Sequence, residues 1–519
     1  MALKFLLILA LSFLSVSLSQ SYKPIPDTSD KCVSCQKQVS ALEIKWGSDA
    51  SIEATVAELK QKCKEKEKGH FLKREICDKV VDVFAQIPPQ IFSGLNDLAW
   101  DVPLGVCATI KKCKVECCGV DSPPEQVHLS LAGEDRSLMG VTWVTLSHNE
   151  TTVQYGVSQD KLTNTVVGAI NTYTQAGWVG TIHKAIMTGL VPATRYYYRV
   201  GSPSLNSWSQ IFSFKTFDPA QVAQTYAVLA DMSYDNVSDN TVAQLIKLVD
   251  EGKIDVVVHS GDISYADGYE SHWDDFFNKI QPIAARVPYM VTPGNHEFWY
   301  NFCSYKARFF MPSNAGMQGR GSEDNMYYSW TYGNTFFSAM NSETAIDTAD
   351  FHKKQLEFFE SEVGKVDRAT TPWVIAHFHR PLYCSNDGAC YKNGTPNKLA
   401  KQAEDMFYNA KVDMCMSGHI HSYERTYPTY QDKLITKDLS SKTYGAPIYI
   451  VQGASGNREN NKGEGSWPVP EVEWSAAHSP DVGYALMAID SANAAVPTLH
   501  WTFYRSSDNT VLDSFTLTK

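Results

Sequence analysis

Between residues 222 and 519, short apolar, β-branched runs recur, each ended by a turn, with amphipathic stretches between them. Tyr226-Ala-Val-Leu-Ala, Ile254-Asp-Val-Val-Val, Val287-Pro-Tyr-Met-Val, Trp373-Val-Ile-Ala and Val412-Asp-Met-Cys-Met read as buried strands. Residues 241–249 and 350–363 carry apolar positions at helical spacing. Such alternation predicts a layered α/β domain. Residues 123–217 change character. Val127-His-Leu-Ser-Leu, Met139-Gly-Val-Thr-Trp-Val, Thr152-Val-Gln-Tyr and Tyr196-Tyr-Tyr-Arg-Val are short strands separated by turn residues, the pattern of an all-β sandwich. Further upstream, Val39-Ser-Ala-Leu and residues 76–84 return to a helical period, so residues 30–118 predict a small all-α module. Asp121-Ser-Pro-Pro is the linker after it.

The first residues are read as targeting rather than fold. Lys4 precedes an apolar run over residues 5–13, and Ser17-Leu-Ser supplies small residues, which predicts a signal peptide over residues 1–19. No later stretch holds the roughly 20 uninterrupted apolar residues of a membrane span. A soluble product of the secretory pathway, secreted or lysosomal/endosomal, is the expectation. Twelve cysteines suit that oxidising route, eight of them before residue 119. They are Cys32, Cys35, Cys63, Cys77, Cys107, Cys113, Cys117, Cys118, Cys303, Cys384, Cys390 and Cys415. A Cys-x-x-Cys at Cys32 and Cys35 can signal zinc or redox chemistry, but six cysteines in a secretory module favour structural disulfides. Sequons at Asn149, Asn236 and Asn393 mark candidate glycosylation sites. The formal net charge of −11 argues against a nucleic-acid partner.

The cysteine layout of residues 30–118 resembles the saposin B-type family, which implies the pairs Cys32–Cys113, Cys35–Cys107 and Cys63–Cys77. The same resemblance implies a lipid or membrane surface as a partner. The Lys-rich stretch 60–74 reads first as a solvated face. Residues 123–217 resemble a fibronectin type III sandwich and are expected to act as a scaffold.

The chemistry gathers at the strand ends of the last domain. The five runs end at Asp231, at Gly261-Asp262, at Gly294-Asn295-His296-Glu297, at His377-Phe-His379 and at Gly418-His419-Ile-His421. Ligands of open α/β sheets collect at the carboxyl ends of strands. One buried Asp or His is usually a satisfied core residue, but five strands each delivering a metal-type side chain are hard to obtain by chance. Oxygen and imidazole donors without thiolate suit two cations sharing a carboxylate, which is the pattern of a dinuclear metallohydrolase. Tyr265, three residues after Asp262, adds a hard anionic phenolate that favours iron(III). A trivalent ion acidifies bound water, so a hydroxide nucleophile would persist at acidic pH.

With these motifs the chain resembles the purple acid phosphatases of the metallophosphoesterase superfamily. The resemblance rests on Ala230-Asp231-Met-Ser, Gly261-Asp262-Ile-Ser-Tyr265, Gly294-Asn295-His296-Glu297, His379-Arg-Pro and Gly418-His419-Ile-His421. It extends over residues 123–519 and implies, over residues 222–519, a sandwich of two mixed sheets flanked by helices. It further implies iron(III) on Asp231, Tyr265, His421 and a bridging Asp262. A divalent zinc, iron or manganese ion would take Asp262, Asn295, His379 and His419. His296 would contact the phosphate or act as the acid, with metal-bound hydroxide as nucleophile. Ala230 and Ser233 replace family glycines, and His377 adds an imidazole on the same strand face as His379, an alternative ligand, although His379-Arg-Pro matches the family pattern best. The second acid histidine of the plant enzymes is missing from residues 384–390, where Cys384 and Cys390 suit a local disulfide. Cys415, inside a strand, reads as a buried thiol.

The expected substrate is a small phosphate monoester. A phosphodiesterase is the alternative within enzymes, and acid sphingomyelinase offers a saposin-linked phospholipid hydrolase for comparison. A lipid-binding or membrane-disrupting protein led by the saposin-like module is the non-enzymatic alternative, set against an intact ligand set.

Overall fold

A computed structural model describes residues 123–519, apart from 134–135, 147–149, 176–177, 179, 222, 316–320, 346–347, 392–393, 441–443 and 492–495. The signal-peptide run, the saposin-like module with its three implied disulfides and the sequons at Asn149 and Asn393 lie outside the described residues. Asn236 is described and exposed. The chain divides into two compact units. One takes in residues 172–180 and 268–274, where Trp178 stacks on Tyr173 with ring centroids 4.5 Å apart and donates from Nε1 to Asp274 at 3.0 Å. The other comprises residues 123–171, 181–267 and 275–519 and holds all the residues of the site described below.

Residues 123–217 form the expected sandwich. One sheet orders the strands Glu125–Ser130, Met139–Thr145, Thr181–Met187 and Ala169–Asn171. The other orders Asn164–Val167, Thr152–Gly156, Arg195–Ser202 and Ser207–Trp208, with Phe212–Lys215 also paired to the third. Alternating inward side chains, among them Val127, Val141, Trp143, Val153, Tyr198 and Phe214, make one buried cluster. The cluster reaches Ala285, and the Tyr198 hydroxyl donates to the Ala285 carbonyl at 2.7 Å, which ties the sandwich to the layer behind it.

That layer holds two mixed sheets. Strands β1 (Ala223–Leu229), β2 (Val256–Ser260) and β3 (Tyr289–Thr292) are parallel neighbours. Strands β4 (Tyr328–Tyr332), β5 (Thr335–Ala339), β6 (Trp373–His377), β7 (Met414–Ser417), β8 (Tyr423–Thr426), β9 (Ile448–Gln452) and β10 (Ser475–Ser479) form the second sheet in the order β4-β5-β6-β7-β9-β8-β10. The chain then returns as β11 (Gly483–Asp490), β12 (Thr498–Arg505) and β13 (Val511–Thr518), completing the first sheet as β3-β2-β1-β11-β12-β13. Aromatic side chains seal the sheets together. Tyr226 of β1 packs on Phe337 of β5 with ring centroids 5.1 Å apart, and its hydroxyl donates to the Tyr332 carbonyl at 2.7 Å.

Helices α1 (Asp239–Asp250), α2 (Glu270–Ala284), α3 (Trp299–Arg308), α4 (Lys353–Val363) and α5 (Lys398–Asn409) flank the sheets. On α1 the buried positions Thr241, Val242, Leu245 and Val249 follow the helical period. The α4 helix begins later than its apolar pattern predicts. His352 caps it by accepting from the Lys354 N–H at 3.3 Å, which leaves residues 350–352 extended or turning. Phe359 of α4 and Phe407 of α5 meet at 5.3 Å over the second sheet.

Candidate metal centre

The turns after β1 and β2 are hydrogen-bonded to each other. Asp231 N–H donates to Gly261 O at 3.1 Å, and Met232 N–H to Asp262 O at 3.2 Å. Asp231 and Asp262 thus leave neighbouring strands side by side. The turn after β7 joins them. Gly418 N–H donates to His379 O at 2.8 Å, and Ile420 N–H to Gly418 O at 2.8 Å, a γ-turn centred on His419. A β-carbon on Gly418 would lie 2.1 Å from Asp231 Oδ2, so only glycine lets this turn approach the carboxylate.

Asp231, Asp262, Tyr265 and His419 all hold left-handed backbone, with φ of 57°, 49°, 55° and 69°. For an L-residue this costs on the order of 1–2 kcal/mol each. Strain concentrated in one constellation is a mark of function.

The donors converge in two sets. Asp262, His379 and His419 bring one ligand atom each to within 4.8 Å of one another, as do Asp231, Asp262 and His421. Asp262 belongs to both. Tyr265 hydroxyl stands 2.9 Å from His421 Nε2 and 3.2 Å from Asp231 Oδ1. Asn295 Oδ1 lies 3.1 Å from His379 Nε2. All seven positions singled out in the sequence therefore share one site, and buried carboxylates facing imidazoles fit a pair of cations.

Protonation follows from the same geometry. His379 meets acceptors at both nitrogens: Ser260 O at 3.1 Å from Nδ1, and Asp262 Oδ2 at 3.0 Å from Nε2. Burial works to lower its pKa, but the Asp262 and Asp231 charges outweigh burial and hold it up at about 9. Burial opposes ionisation of Asp262 as well, and the His379 and His296 charges keep it below the usual carboxylate range. His419 is lowered well below 6.5 by burial, with His379 and Arg380 adding to the effect. Burial first, then Asp231 and Asp262, raises the Tyr265 phenol. Cations bound at these residues would displace the protons held by His379 and Tyr265.

His296 stands over this cluster, with its ring centroid 4.2 Å from that of Tyr265. Its Nδ1 donates to Asp267 Oδ1 at 2.5 Å, while Nε2 lies 3.8 Å from Asp262 Oδ2 and 3.6 Å from Glu459 Oε1. Burial lowers its pKa, but Asp262, Asp267 and Glu459 more than compensate and raise it to about 10. The imidazolium is therefore fixed in orientation by Asp267.

His377 takes a different path. It is the last residue of β6, fully buried, and its ring meets Trp330 and Phe337 edge-on at 6.4 Å each. Burial lowers its pKa to about 3. It faces the aromatic seal between the sheets, whereas His379, beyond the strand end, turns to the carboxylates. Cys384 and Cys390 are disulfide-bonded with Cα atoms 5.4 Å apart, and Cys415 is a buried free thiol.

Several supporting residues carry no chemistry legible in the motifs. Glu297 accepts from three backbone N–H groups, Asp262 at 2.9 Å, Ile263 at 3.0 Å and Gly294 at 2.8 Å, and so clamps two motif turns together. Burial, with Asp262 next to it, raises its pKa to about 7. Arg380 donates from Nε to both Glu343 oxygens at 2.9 Å and from Nη1 to His419 Nε2 at 3.0 Å. Asp267 and Glu459 complete the surroundings of His296. Glu297 and Arg380 lie inside recognised motifs, but Asp267, Glu343 and Glu459 have no sequence signal beyond their charge.

Comparison with known proteins matches most of the described chain. Residues 124–216 match the N-terminal domain of purple acid phosphatase, residues 224–423 the calcineurin-like phosphoesterases, and residues 446–514 the iron/zinc purple acid phosphatase-like protein C family. Acid phosphatase type 7 of Danio rerio is 32% identical over 432 residues, covering 77% of this chain and 92% of the relative. The probable purple acid phosphatase 20 of Arabidopsis thaliana is 32% identical over 395 residues, covering 74% and 85%. The structure of a purple acid phosphatase from yellow lupin (Lupinus luteus) seeds superimposes with a TM-score of 0.63 at 26% identity, covering 76% of this chain and 74% of that one. These matches place the chain in the purple acid phosphatase family.

Proposed function

We propose that the protein is an acid phosphatase that hydrolyses phosphate monoesters at a dinuclear iron(III)–divalent metal centre. The observation that carries this reading is Asp262, a buried carboxylate common to two converging donor sets, one of which adjoins a tyrosine hydroxyl. Asp231, Tyr265, His421 and Asp262 would hold iron(III), and Asp262, Asn295, His379 and His419 the divalent ion. Such a pair supplies Lewis acidity toward the phosphoryl oxygens and a nucleophilic water at low pH. The chain's own residues do the rest. Glu297 holds the Asp262 and Asn295 turns in register through its three accepted N–H bonds. His296, oriented by Asp267, points Nε2 toward the Asp262 side of the centre. There it can stabilise charge on the phosphoryl oxygens and pass its Nε2 proton to the departing alkoxide. The sandwich of residues 123–217 acts as a scaffold.

The monoester reading is tested with phenyl phosphate against its bis ester, alongside metal analysis and a visible spectrum. A metal-loaded protein should favour the monoester and be coloured by phenolate-to-iron(III) charge transfer, and Tyr265→Phe should abolish the band. Preference for the bis ester would install the phosphodiesterase reading. Colourless protein with stoichiometric iron would remove Tyr265 from the ligand set. The signal-peptide run further supports a secreted or lysosomal location, to be checked by N-terminal sequencing of secreted or lysosomal protein.

A further inference from the structure

Next to the centre lies an open cavity of about 430 Å³ lined by His419, His421, Asp387, Glu459, Asn460 and Lys462. That volume suits a small organic group. Its position beside two candidate ligands is where the alcohol part of an ester would lie.

Lys462 Nζ stands 3.0 Å from Asp387 Oδ2. Both partners are anchored. Lys462 N–H donates to the His421 carbonyl at 2.7 Å, so the lysine is tied to the metal-site turn. Asp387 sits within the loop closed by the Cys384–Cys390 disulfide, and its Oδ1 accepts from the Ala389 N–H at 2.9 Å. Glu459 also lines the cavity, with Oε1 3.6 Å from His296 Nε2 and Oε2 4.0 Å from His421 Nε2. Within this lining Asp387 engages the Lys462 ammonium, while Glu459 faces the His296 and His421 imidazoles.

The geometry points to this cavity as a leaving-group subsite that sorts monoesters by charge, with the Asp387–Lys462 pair as its specificity determinant. The inference rests on the monoester reading above. Esters of neutral or cationic alcohols are admitted. Leaving groups that carry further negative charge are disfavoured, because Asp387 engages the ammonium that would otherwise receive them.

The test compares kcat/KM for pyrophosphate with that for phenyl phosphate in the metal-loaded full chain. Asp387→Asn frees the lysine and should raise the pyrophosphate-to-phenyl phosphate ratio about tenfold, mainly through KM. Lys462→Met should lower the ratio by a similar factor. The double variant should return within about twofold of the wild type, because the two charges act as a pair. Added salt at about 0.5 M should shrink all these differences. Metal content of each variant separates altered selection from a damaged centre. Single variants that keep the wild-type ratio, or that both move it the same way, overturn the inference. A metal-loaded wild type that leaves phenyl phosphate intact overturns the monoester reading instead.

Discussion

Two histidines, His183 in the sandwich and His379 at the metal centre, are both fully buried and both engaged at each ring nitrogen. His183 meets Thr151 Oγ1 and Thr145 Oγ1 at 2.7 Å each, and stacks on Trp143 at 5.0 Å. A hydroxyl can donate or accept, so a neutral imidazole is satisfied there. His379 meets a carbonyl, a carboxylate and an amide oxygen. It needs a positive charge on its ring or a cation in its place. His128 separates the two causes. Its nitrogens also face carbonyls, Gln126 O at 2.7 Å and Arg308 O at 3.0 Å, yet burial drives its pKa down to about 4. Acceptors alone do not make a cation site. Buried carboxylates do, because they bring the charge that desolvation would otherwise forbid.

The contrast can be broken hardest at Asp262. Asp262→Asn should remove both metals and lower turnover by more than about 10⁴-fold, since Lewis acidity and activated water disappear together. Elemental analysis checks it, and His379→Ala should deplete mainly the divalent ion. His296→Ala comes next, with metals retained and turnover reduced about 10²–10⁴-fold. The loss should be greater for an alkyl ester than for p-nitrophenyl phosphate, whose phenolate hardly needs a proton. Equal losses accompanied by a missing metal would show that His296 only supports Asn295.

The third effect concerns pH. The His128 pKa falls from 6.5 in the unfolded chain to about 4 in the fold. Its contribution is complete above about 6.5 and is lost as pH falls toward about 4, a span of about 3 kcal/mol at 1.36 kcal/mol per unit. His128→Gln should flatten the urea stability profile between these values, even if it lowers stability at neutral pH. Unaltered steepness would contradict the assignment. Glu297→Gln should weaken metal affinity about 10–100-fold by loosening the clamp on the Asp262 turn, as read by metal titration. The smallest effect belongs to the sandwich. His183→Val should cost about 1–3 kcal/mol through the two lost hydrogen bonds and leave metal content alone. Loss of metal in that variant would mean that the sandwich shapes the centre.

Much of this was legible before folding. Parallel strands deliver their next residue to one sheet edge, so five apolar runs ending in Asp, Asn or His already placed the donors together. The sandwich strands showed equally well, because alternation reports a half-buried face directly. The start of α4 did not, since apolar periodicity continues through residues 350–352 while the His352 cap decides the boundary. His377 and His379 share a strand face in the linear pattern. Only the end of β6 at His377 separates them, turning one into the aromatic seal and the other toward Asp262.

The amino-acid sequence by itself determined the donor types, their order and the tyrosine that joins them, because motif spacing is local and ligand chemistry is intrinsic to each side chain. Tertiary structure alone decided which charges surround those donors. Asp267, Asp387 and the segment carrying Glu459 and Lys462 are far apart along the chain; once assembled, Asp262, Asp267 and Glu459 raise His296 to about 10, and Asp387, Glu459 and Lys462 line the adjoining cavity. Electrostatic interaction depends on distance and burial, and neither exists until the chain has closed on itself.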